Sequence, residues 1–209
     1  MSKSSNSLID REITRRQFLK ISGKSLAGLA ITTSMLSLFG CSQKEVDEGN
    51  VSTWAMPQGL LLVNAAKCTG CQRCEINCTL TNDGECSTYN SRIKVARNLH
   101  INGEYGMLND SFVYYPDTCR QCNEPACGNA CPQKAIGTNE FGARVIDQEL
   151  CIGCGACTQA CPWHLPTVNP ATNKSSKCVA CGACINGCPS GALSIIKWED
   201  LADVVSNMN

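Results

Sequence analysis

Residues 151–162 read CIGCGACTQACP, and this stretch decides the fold of the chain. Three cysteines recur at every third position, a fourth follows four residues later, and proline comes next. Sixteen of the eighteen cysteines in the 209-residue chain fall into four quartets of this kind, here numbered as motifs one to four, of which motif two has a longer gap before its third cysteine. They are Cys68, Cys71, Cys74 and Cys78; Cys119, Cys122, Cys127 and Cys131; Cys151, Cys154, Cys157 and Cys161; and Cys178, Cys181, Cys184 and Cys188. Pro132, Pro162 and Pro189 close three motifs, whereas Thr79 follows Cys78.

This spacing is that of the bacterial ferredoxin run. In that run, three thiolates hold one cubane and the fourth ligates a second cluster. Sixteen ligands, at four to a cubane, predict four 4Fe-4S clusters. Proline after the last cysteine fixes φ and leaves no N–H to satisfy. Glycines at Gly70, Gly153, Gly155 and Gly182 are expected to let the backbone approach the iron and sulfide.

Two other uses of cysteine are weighed against clusters. Structural zinc sites pair CxxC knuckles across a longer gap. Disulfide frameworks are common in exported proteins, but they do not repeat a ferredoxin spacing four times. The alternative function is therefore an exported cysteine-rich structural or metal-binding protein, with zinc or disulfides. Cys86 has no ligand spacing to any other cysteine and is predicted to be a bystander thiol.

The first 41 residues have the composition of an export signal. TRRQFLK at residues 14–20 resembles a twin-arginine signal, and a moderately apolar run follows over residues 21–40. This run is too polar for a comfortable transmembrane helix. Clusters are assembled in the cytoplasm, and the twin-arginine route exports folded proteins. The leader therefore predicts a location on the periplasmic side.

Leu38-Phe39-Gly40-Cys41 resembles a lipobox, which predicts acylation and lipid anchoring at Cys41. Two alternatives stay open: cleavage without a lipid, and an uncleaved leader that serves as a single anchor.

Residues 1–40 carry six basic and two acidic residues, so the remainder has twelve basic and sixteen acidic residues and a formal net charge of −4. The sequence has no basic stripe, so nucleic-acid binding is not expected.

The composition also predicts that the clusters serve as the core. Aromatic residues make up only 5% of the chain, which is too few for a large conventional core. The domain is therefore expected to unfold without iron, as structural metal sites do.

The predicted organisation is a linker at residues 42–58, one domain at residues 59–198 and a C-terminal tail at residues 199–209. Strands are expected at residues 59–64 and 192–198, and a hairpin is expected to close near residues 139–142. A second pair of strands, at residues 92–98 and 111–115, is expected to flank a loop rich in Gly and Asn. Short helical turns should follow each cysteine triplet.

The fold class is α+β, a duplicated bacterial two-cluster ferredoxin-like fold with small hairpins and short helices. Motifs one and four form one ferredoxin unit, here the outer unit. Motifs two and three, at residues 117–165, form the inserted inner unit.

The cysteine pattern, with its longer gap from Cys122 to Cys127, resembles the four-cluster iron–sulfur subunits of the dimethyl sulfoxide reductase type over about residues 60–198. The resemblance implies how the fourth cysteines cross between motifs. The implied ligand sets are Cys68, Cys71, Cys74 and Cys188; Cys78, Cys178, Cys181 and Cys184; Cys119, Cys122, Cys127 and Cys161; and Cys131, Cys151, Cys154 and Cys157.

Four local stretches, at residues 20–24, 91–94, 117–122 and 174–178, resemble a ferredoxin-like branch of this family. This likeness implies a catalytic partner similar to aldehyde ferredoxin oxidoreductase, with a molybdenum or tungsten pterin, and a membrane quinol-linked or cytochrome subunit. The chain is then an electron-transfer subunit, with no catalytic residues of its own. A maturation or sensing protein is a third class, which sixteen complete ligands disfavour.

Other polar residues carry weaker signals. The chain has two histidines, His100 and His164, and no phosphate-binding or nucleotide-binding motif. His164 is expected to be packed or solvent-facing, and Trp163 to shield a cluster. Lys67, Arg120 and Lys177 adjoin predicted ligands and could raise cluster potentials by opposing the cluster charge. The favoured interpretation is that they are solvated charges of little effect.

Overall fold

A computed structural model describes residues 50–97 and 114–200. The leader with Cys41, His100 and the tail from residue 201 lie outside the described residues. Within them, the chain forms small strands and short helices. The strands are β1 (Val51–Met56), β2 (Gly59–Asn64), β3 (Ile93–Arg97), β4 (Tyr114–Thr118), β5 (Ile136–Thr138), β6 (Arg144–Ile146), β7 (Thr167–Asn169), β8 (Lys174–Ser176) and β9 (Leu193–Lys197). The helices are α1 (Arg73–Asp83), α2 (Ala126–Asn129), α3 (Ala156–Ala160) and α4 (Ala183–Asn186), and Ala65–Lys67 forms a 3₁₀ turn.

The largest sheet joins the two ends of the described chain. Its strand order is β1-β2-β9, and both pairings are antiparallel. Strand β2 reads GLLLVN and is buried at every position, as expected for an apolar central strand. Leu61 lies opposite Ile195 of β9. The strands predicted before motif one and after motif four are confirmed, and they pair with each other.

The linker predicted at residues 42–58 is wrong for Val51–Met56, which form β1. Thr53 and Trp54 of β1 lie opposite Leu62 and Leu61 of β2. The segment looked like a linker because it is short and half polar. As an edge strand it needs to bury only part of its surface, and five of its six residues are only partly buried.

Three two-stranded hairpins connect the motifs. The predicted hairpin around residues 139–142 is confirmed as β5–β6, whose turn is held by Asn139 Oδ1, which accepts N–H bonds from Phe141 at 3.1 Å and Ala143 at 2.8 Å. Strands β3 and β4 also pair as expected, on either side of residues 98–113. The β7–β8 hairpin between motifs three and four was not predicted.

The short helical turns predicted after each cysteine triplet are present, but each helix begins one residue earlier than the third cysteine of its motif. Helices α2, α3 and α4 are short and end before the proline of their motif, because the residue before proline disfavours the helical conformation. Helix α1 has eleven residues and runs through Cys78 to Asp83, since Thr79 stands where the others have proline. Among the described helices, none combines the length and the apolar character needed to cross a bilayer.

The helices pack in two pairs that follow the order of the motifs. Helix α1 packs against α4, and α2 packs against α3. The aliphatic core lies beside the first pair, under the three-stranded sheet. It consists of Met56, Leu61, Val63, Cys74, Cys78, Ile93 and Leu193. Around α2 and α3, the buried apolar side chains are small or few, namely Ala135, Ala143, Leu165 and Pro166 together with cysteines.

Candidate metal centres

One cavity gathers cysteines from motifs two and three. Cys119, Cys122 and Cys127 of motif two line it together with Cys161, the last cysteine of motif three. The cavity has a volume of about 190 Å³. Three of the cysteines that line this cavity are therefore close together in the sequence, and the fourth comes from the next motif.

Two further cavities repeat this arrangement. Cys151, Cys154 and Cys157 of motif three line one of them with Cys131 of motif two. Cys68, Cys71 and Cys74 of motif one line the other with Cys188 of motif four. In each case the fourth cysteine comes from the motif whose helix packs against the helix of the triplet.

The remaining cysteines, Cys78, Cys178, Cys181 and Cys184, also lie together. The Asn82 amide points its Nδ2 at Cys181 Sγ, 3.6 Å away, and at Cys78 Sγ, 4.0 Å away. Burial raises the pKa of the Cys184 thiol, and the nearby Cys178, Cys78, Cys74 and Cys181 raise it further. The four groups have the same members as the ligand sets implied by the family resemblance. That each group holds a cluster stays a prediction.

The chain takes a left-handed turn at the same point of all four motifs. The residue two positions after the first cysteine has a positive φ: Gly70 at 69°, Gln121 at 50°, Gly153 at 69° and Ala180 at 59°. This turn aims the backbone N–H of Gln121 at Cys119 Sγ (3.4 Å) and that of Ala180 at Cys178 Sγ (3.3 Å). Sequence analysis identified the two glycines but missed the other two residues, because neither residue type signals a left-handed conformation.

Backbone N–H groups also reach other cysteine sulfurs. Arg92 N lies 3.4 Å from Cys78 Sγ, Ala135 N lies 3.3 Å from Cys131 Sγ, and Ser175 N lies 3.3 Å from Cys151 Sγ. The Ser175 hydroxyl lies 3.1 Å from Cys157 Sγ. Such donors stabilise negative charge on sulfur, and they are among the protein features that set cluster potentials.

The protein environment raises the pKa of some cysteine thiols and lowers that of another. Burial raises the pKa of Cys74 to about 12, and that of Cys178 to about 11, with further increases from neighbouring acidic groups and cysteines. For Cys188, burial also acts to raise the pKa, but the net shift is downward because the Ser190 hydroxyl and three backbone N–H groups stabilise the thiolate. Crowded, buried thiolates repel one another, and binding to iron removes that cost. The donor sets therefore fit iron–sulfur clusters.

The described cysteines are neither paired in disulfides nor gathered around a single-ion site. In the part of the chain that the structure describes, no three His, Cys, Asp or Glu residues converge as a site for a single metal ion. All seventeen described cysteines are free thiols. Cys86 is exposed and lies outside the four groups; that it is a bystander thiol stays a prediction.

Two of the three charges predicted to be solvated are instead packed. Lys177 is 2% exposed and donates to the backbone carbonyl of Arg144. It lines the cavity of Cys119, Cys122, Cys127 and Cys161. Its charge acts to lower the pKa of the Cys127 and Cys122 thiols, against a larger increase caused by burial. Lys67 is only half-buried.

Arg120 lies between two tryptophans at the rim of the same cavity. Its Cζ is 3.6 Å from the centre of the Trp54 ring and 5.2 Å from that of Trp163. Its Nη1 pairs with Asp117 Oδ1 at 2.5 Å and donates to Thr118 O at 2.6 Å. Trp163 is 44% exposed and lines the cavity; that it shields a cluster stays a prediction. His164 is exposed, and its Nδ1 lies 3.1 Å from Thr158 O.

Comparison with known proteins places this geometry in context. The model of a 4Fe-4S dicluster domain matches residues 111–197. The chain is 53% identical to the uncharacterized ferredoxin-like protein YdhY of Escherichia coli K12, over 93% of this chain and 96% of that protein. It is 28% identical to a tetrathionate reductase subunit of Salmonella typhimurium, over 81% of this chain and 64% of the relative. It is 32% identical to one chain of the anaerobic dimethyl sulfoxide reductase of E. coli K12, over 55% of this chain and 57% of the relative.

Proposed function

This protein belongs to the ferredoxin-like 4Fe-4S proteins, and from that premise we propose that it relays single electrons through four clusters in an oxidoreductase complex. The observation that carries the proposal is the crossing of the fourth cysteines. Cys161 lines the cavity of the motif-two triplet, and Cys131 lines that of the motif-three triplet. A ferredoxin run uses its fourth cysteine in this way, whereas a set of separate zinc knuckles would not need it.

In the proposed relay, each of the four cysteine groups would hold one 4Fe-4S cluster, which would supply one-electron redox chemistry. The protein supplies the positions and the electrostatic surroundings. Cys119 and Cys178 belong to different groups, yet the charge of Cys119 raises the pKa of Cys178. This closeness supports a contact between the inner and outer units, so that electrons can pass from one to the other.

The protein is also proposed to keep all cluster irons coordinated. Each of the four groups offers four cysteines, which leaves no iron position for a substrate. The chain is therefore an electron-transfer subunit, and chemistry on a substrate belongs to a partner. The names of its relatives as parts of tetrathionate reductase and dimethyl sulfoxide reductase support this division.

The first test is an anaerobic count of iron and acid-labile sulfide per polypeptide. The expected result is about sixteen of each, from four cubanes. Zinc in place of iron, or oxidised thiols without sulfide, would refute the proposal and favour an exported structural protein. Quantitative EPR of the dithionite-reduced protein adds an independent count of the electrons taken up.

The proposed partners are a molybdenum- or tungsten-pterin catalytic subunit, similar to aldehyde ferredoxin oxidoreductase, and a membrane quinol-linked or cytochrome subunit. A quinol donor would lose two electrons, one at a time, and would release its two protons at the quinol-oxidising subunit. Affinity purification of the chain from membranes solubilised in mild detergent should recover a pterin enzyme. Recovery without any pterin or molybdenum or tungsten would contradict this part of the proposal.

Export by the twin-arginine route is proposed from the leader alone, and so is lipid anchoring at Cys41. The double variant Arg15→Lys, Arg16→Lys should leave cluster-loaded protein in the cytoplasm. Palmitate labelling should be lost in Cys41→Ser. Normal export of the first variant, or undiminished labelling of the second, would overturn the corresponding claim.

A further inference from the structure

A buried lysine lies at the junction of the two units. Lys177 directly precedes Cys178, the first cysteine of motif four in the outer unit. Its side chain lines the cavity formed by Cys119, Cys122, Cys127 and Cys161 of the inner unit. Only 2% of this residue is exposed to solvent. The ammonium of Lys177 is thus held next to the cysteines of the inner unit, whereas the backbone of Lys177 adjoins motif four of the outer unit.

Arg144 and Gln121 fix the ammonium in this position. Lys177 Nζ donates to the carbonyl oxygen of Arg144, and the N–H of Arg144 donates to Gln121 Oε1 at 2.7 Å. Gln121 Nε2 in turn donates to the carbonyl oxygen of Cys178 at 2.7 Å. Gln121 is fully buried. This closed chain of hydrogen bonds ties motif two, strand β6 and motif four together around Lys177.

Lys177 differs from Arg120, another cation that lines the cavity, in how its charge is balanced. Arg120 pairs with Asp117 at 2.5 Å. Among the residues that the structure describes, no carboxylate lies within salt-bridge distance of Lys177. A buried charge is costly unless it is paired. The negative groups on which its charge acts are cysteines, namely Cys122 and Cys127 of this candidate metal centre and Cys178 of the outer unit.

We propose that Lys177 is a potential-setting residue, whose buried charge raises the reduction potential of the cluster at Cys119, Cys122, Cys127 and Cys161. This inference rests on the proposed function, because it needs clusters at the four groups. Reduction adds one negative charge to the cluster, and a cation held nearby in a poorly solvated site stabilises that charge. The residue thereby controls how readily an electron is accepted at the junction of the two units.

The test is EPR-monitored redox titration of the anaerobically purified holoprotein, with the variants Lys177→Met, Lys177→Arg and Lys197→Met. Lys197 is the control, because its side chain is 64% exposed and it pairs with Glu199 at 3.2 Å. The signal of the cluster in question is assigned with Cys161→Ser, which removes one of its ligands. Each titration is repeated at high salt, because buried charges are screened much less than exposed ones.

In Lys177→Met, the assigned signal should be at least tenfold harder to reduce, which is about 59 mV lower for a one-electron couple. Lys177→Arg should retain most of the wild-type potential, Lys197→Met should leave it unchanged, and the shift should persist at high salt. Full iron content with no shift would overturn the inference, and so would an equal shift in Lys197→Met. If Lys177→Met loses iron, Lys177→Gln carries the same prediction with a polar side chain. Wild-type protein without clusters would instead refute the proposed function.

Discussion

Gly153, between Cys151 and Cys154, is where one added methyl group should disturb a metal centre most directly. Its φ is +69°, and a Cβ built there would lie 2.0 Å from the carbonyl oxygen of Asn173. Asn173 lies between β7 and β8, has a φ of 52°, and donates its N–H to Asn169 O at 2.8 Å. The obstacle is therefore backbone in a tight turn, which cannot rotate out of the way as a side chain can.

The expected cost of Gly153→Ala has two parts. A non-glycine residue in the left-handed region costs about 1–2 kcal/mol. Ala180 occupies the equivalent position of motif four with a φ of 59°, so this part is tolerated. Separating the methyl group from Asn173 adds an overpacking cost of about 1–3 kcal/mol. Gly182→Ala is the matched control, because its φ is +79° and nothing lies within 4 Å of an added Cβ.

The assay is the rate at which the holoprotein loses its visible absorbance under anaerobic denaturing conditions, since cluster loss makes unfolding irreversible. If the added cost acts on the native state, Gly153→Ala should bleach roughly fivefold to more than a hundredfold faster than Gly182→Ala, at about 1.4 kcal/mol for each factor of ten. Equal rates for the two variants would refute the reasoning, because they would show that the Asn173 carbonyl imposes no cost.

Three other perturbations test the arrangement of the site. Cys161→Ser should alter the cluster of the motif-two triplet and leave that of motif three intact, as seen by the loss of one EPR signal and at most about four of sixteen irons; loss of the motif-three signal would contradict the crossing. Chelation of iron should abolish ordered structure first in the inner unit, because the buried apolar residues there are small or few. Hydrogen exchange should therefore become fast in residues 119–161 before it does in β2. Protection from exchange that persists in the inner unit of the apoprotein would contradict this prediction. Arg120→Met should lower holoprotein stability by about 0.5–2 kcal/mol through loss of its contact with Trp54. A double-mutant cycle with Trp54→Ala should show a coupling energy between the two residues; additive effects of the two substitutions would contradict the contact.

The elements that sequence analysis found and missed differ in how they are stabilised. Strand β2 was predictable because it is a continuous apolar run that is buried at every position. The hairpin β7–β8 was missed because Thr167–Asn169 and Lys174–Ser176 have no apolar alternation. It is held by contacts with motif three, where Ser175 N reaches Cys151 Sγ at 3.3 Å and Lys174 Nζ reaches Cys151 O at 2.6 Å. Such contacts leave no periodic signal.

The same distinction applies to polar side chains at the site. Arg120 and Lys177 were predicted to be solvated because charges beside loops usually are. Burial of Lys177 depends on Arg144, and the position of Arg120 depends on Trp54, a residue of the segment taken for a linker. Neither partner is near its cation in the chain.

Local spacing was enough to identify the candidate ligand residues, the triplets, the short helices and the kind of cofactor they suit. These features depend on residues that are close together in the sequence, where the backbone leaves few alternatives. Tertiary structure set the grouping of Cys161 with motif two, the contact of buried Lys177 with the carbonyl of Arg144, and the hydrogen bonds that join Arg144, Gln121 and Cys178. Each joins residues that are 23 to 57 positions apart in the chain, and contacts at such separations depend on how the hairpins and helices pack, which no local pattern encodes.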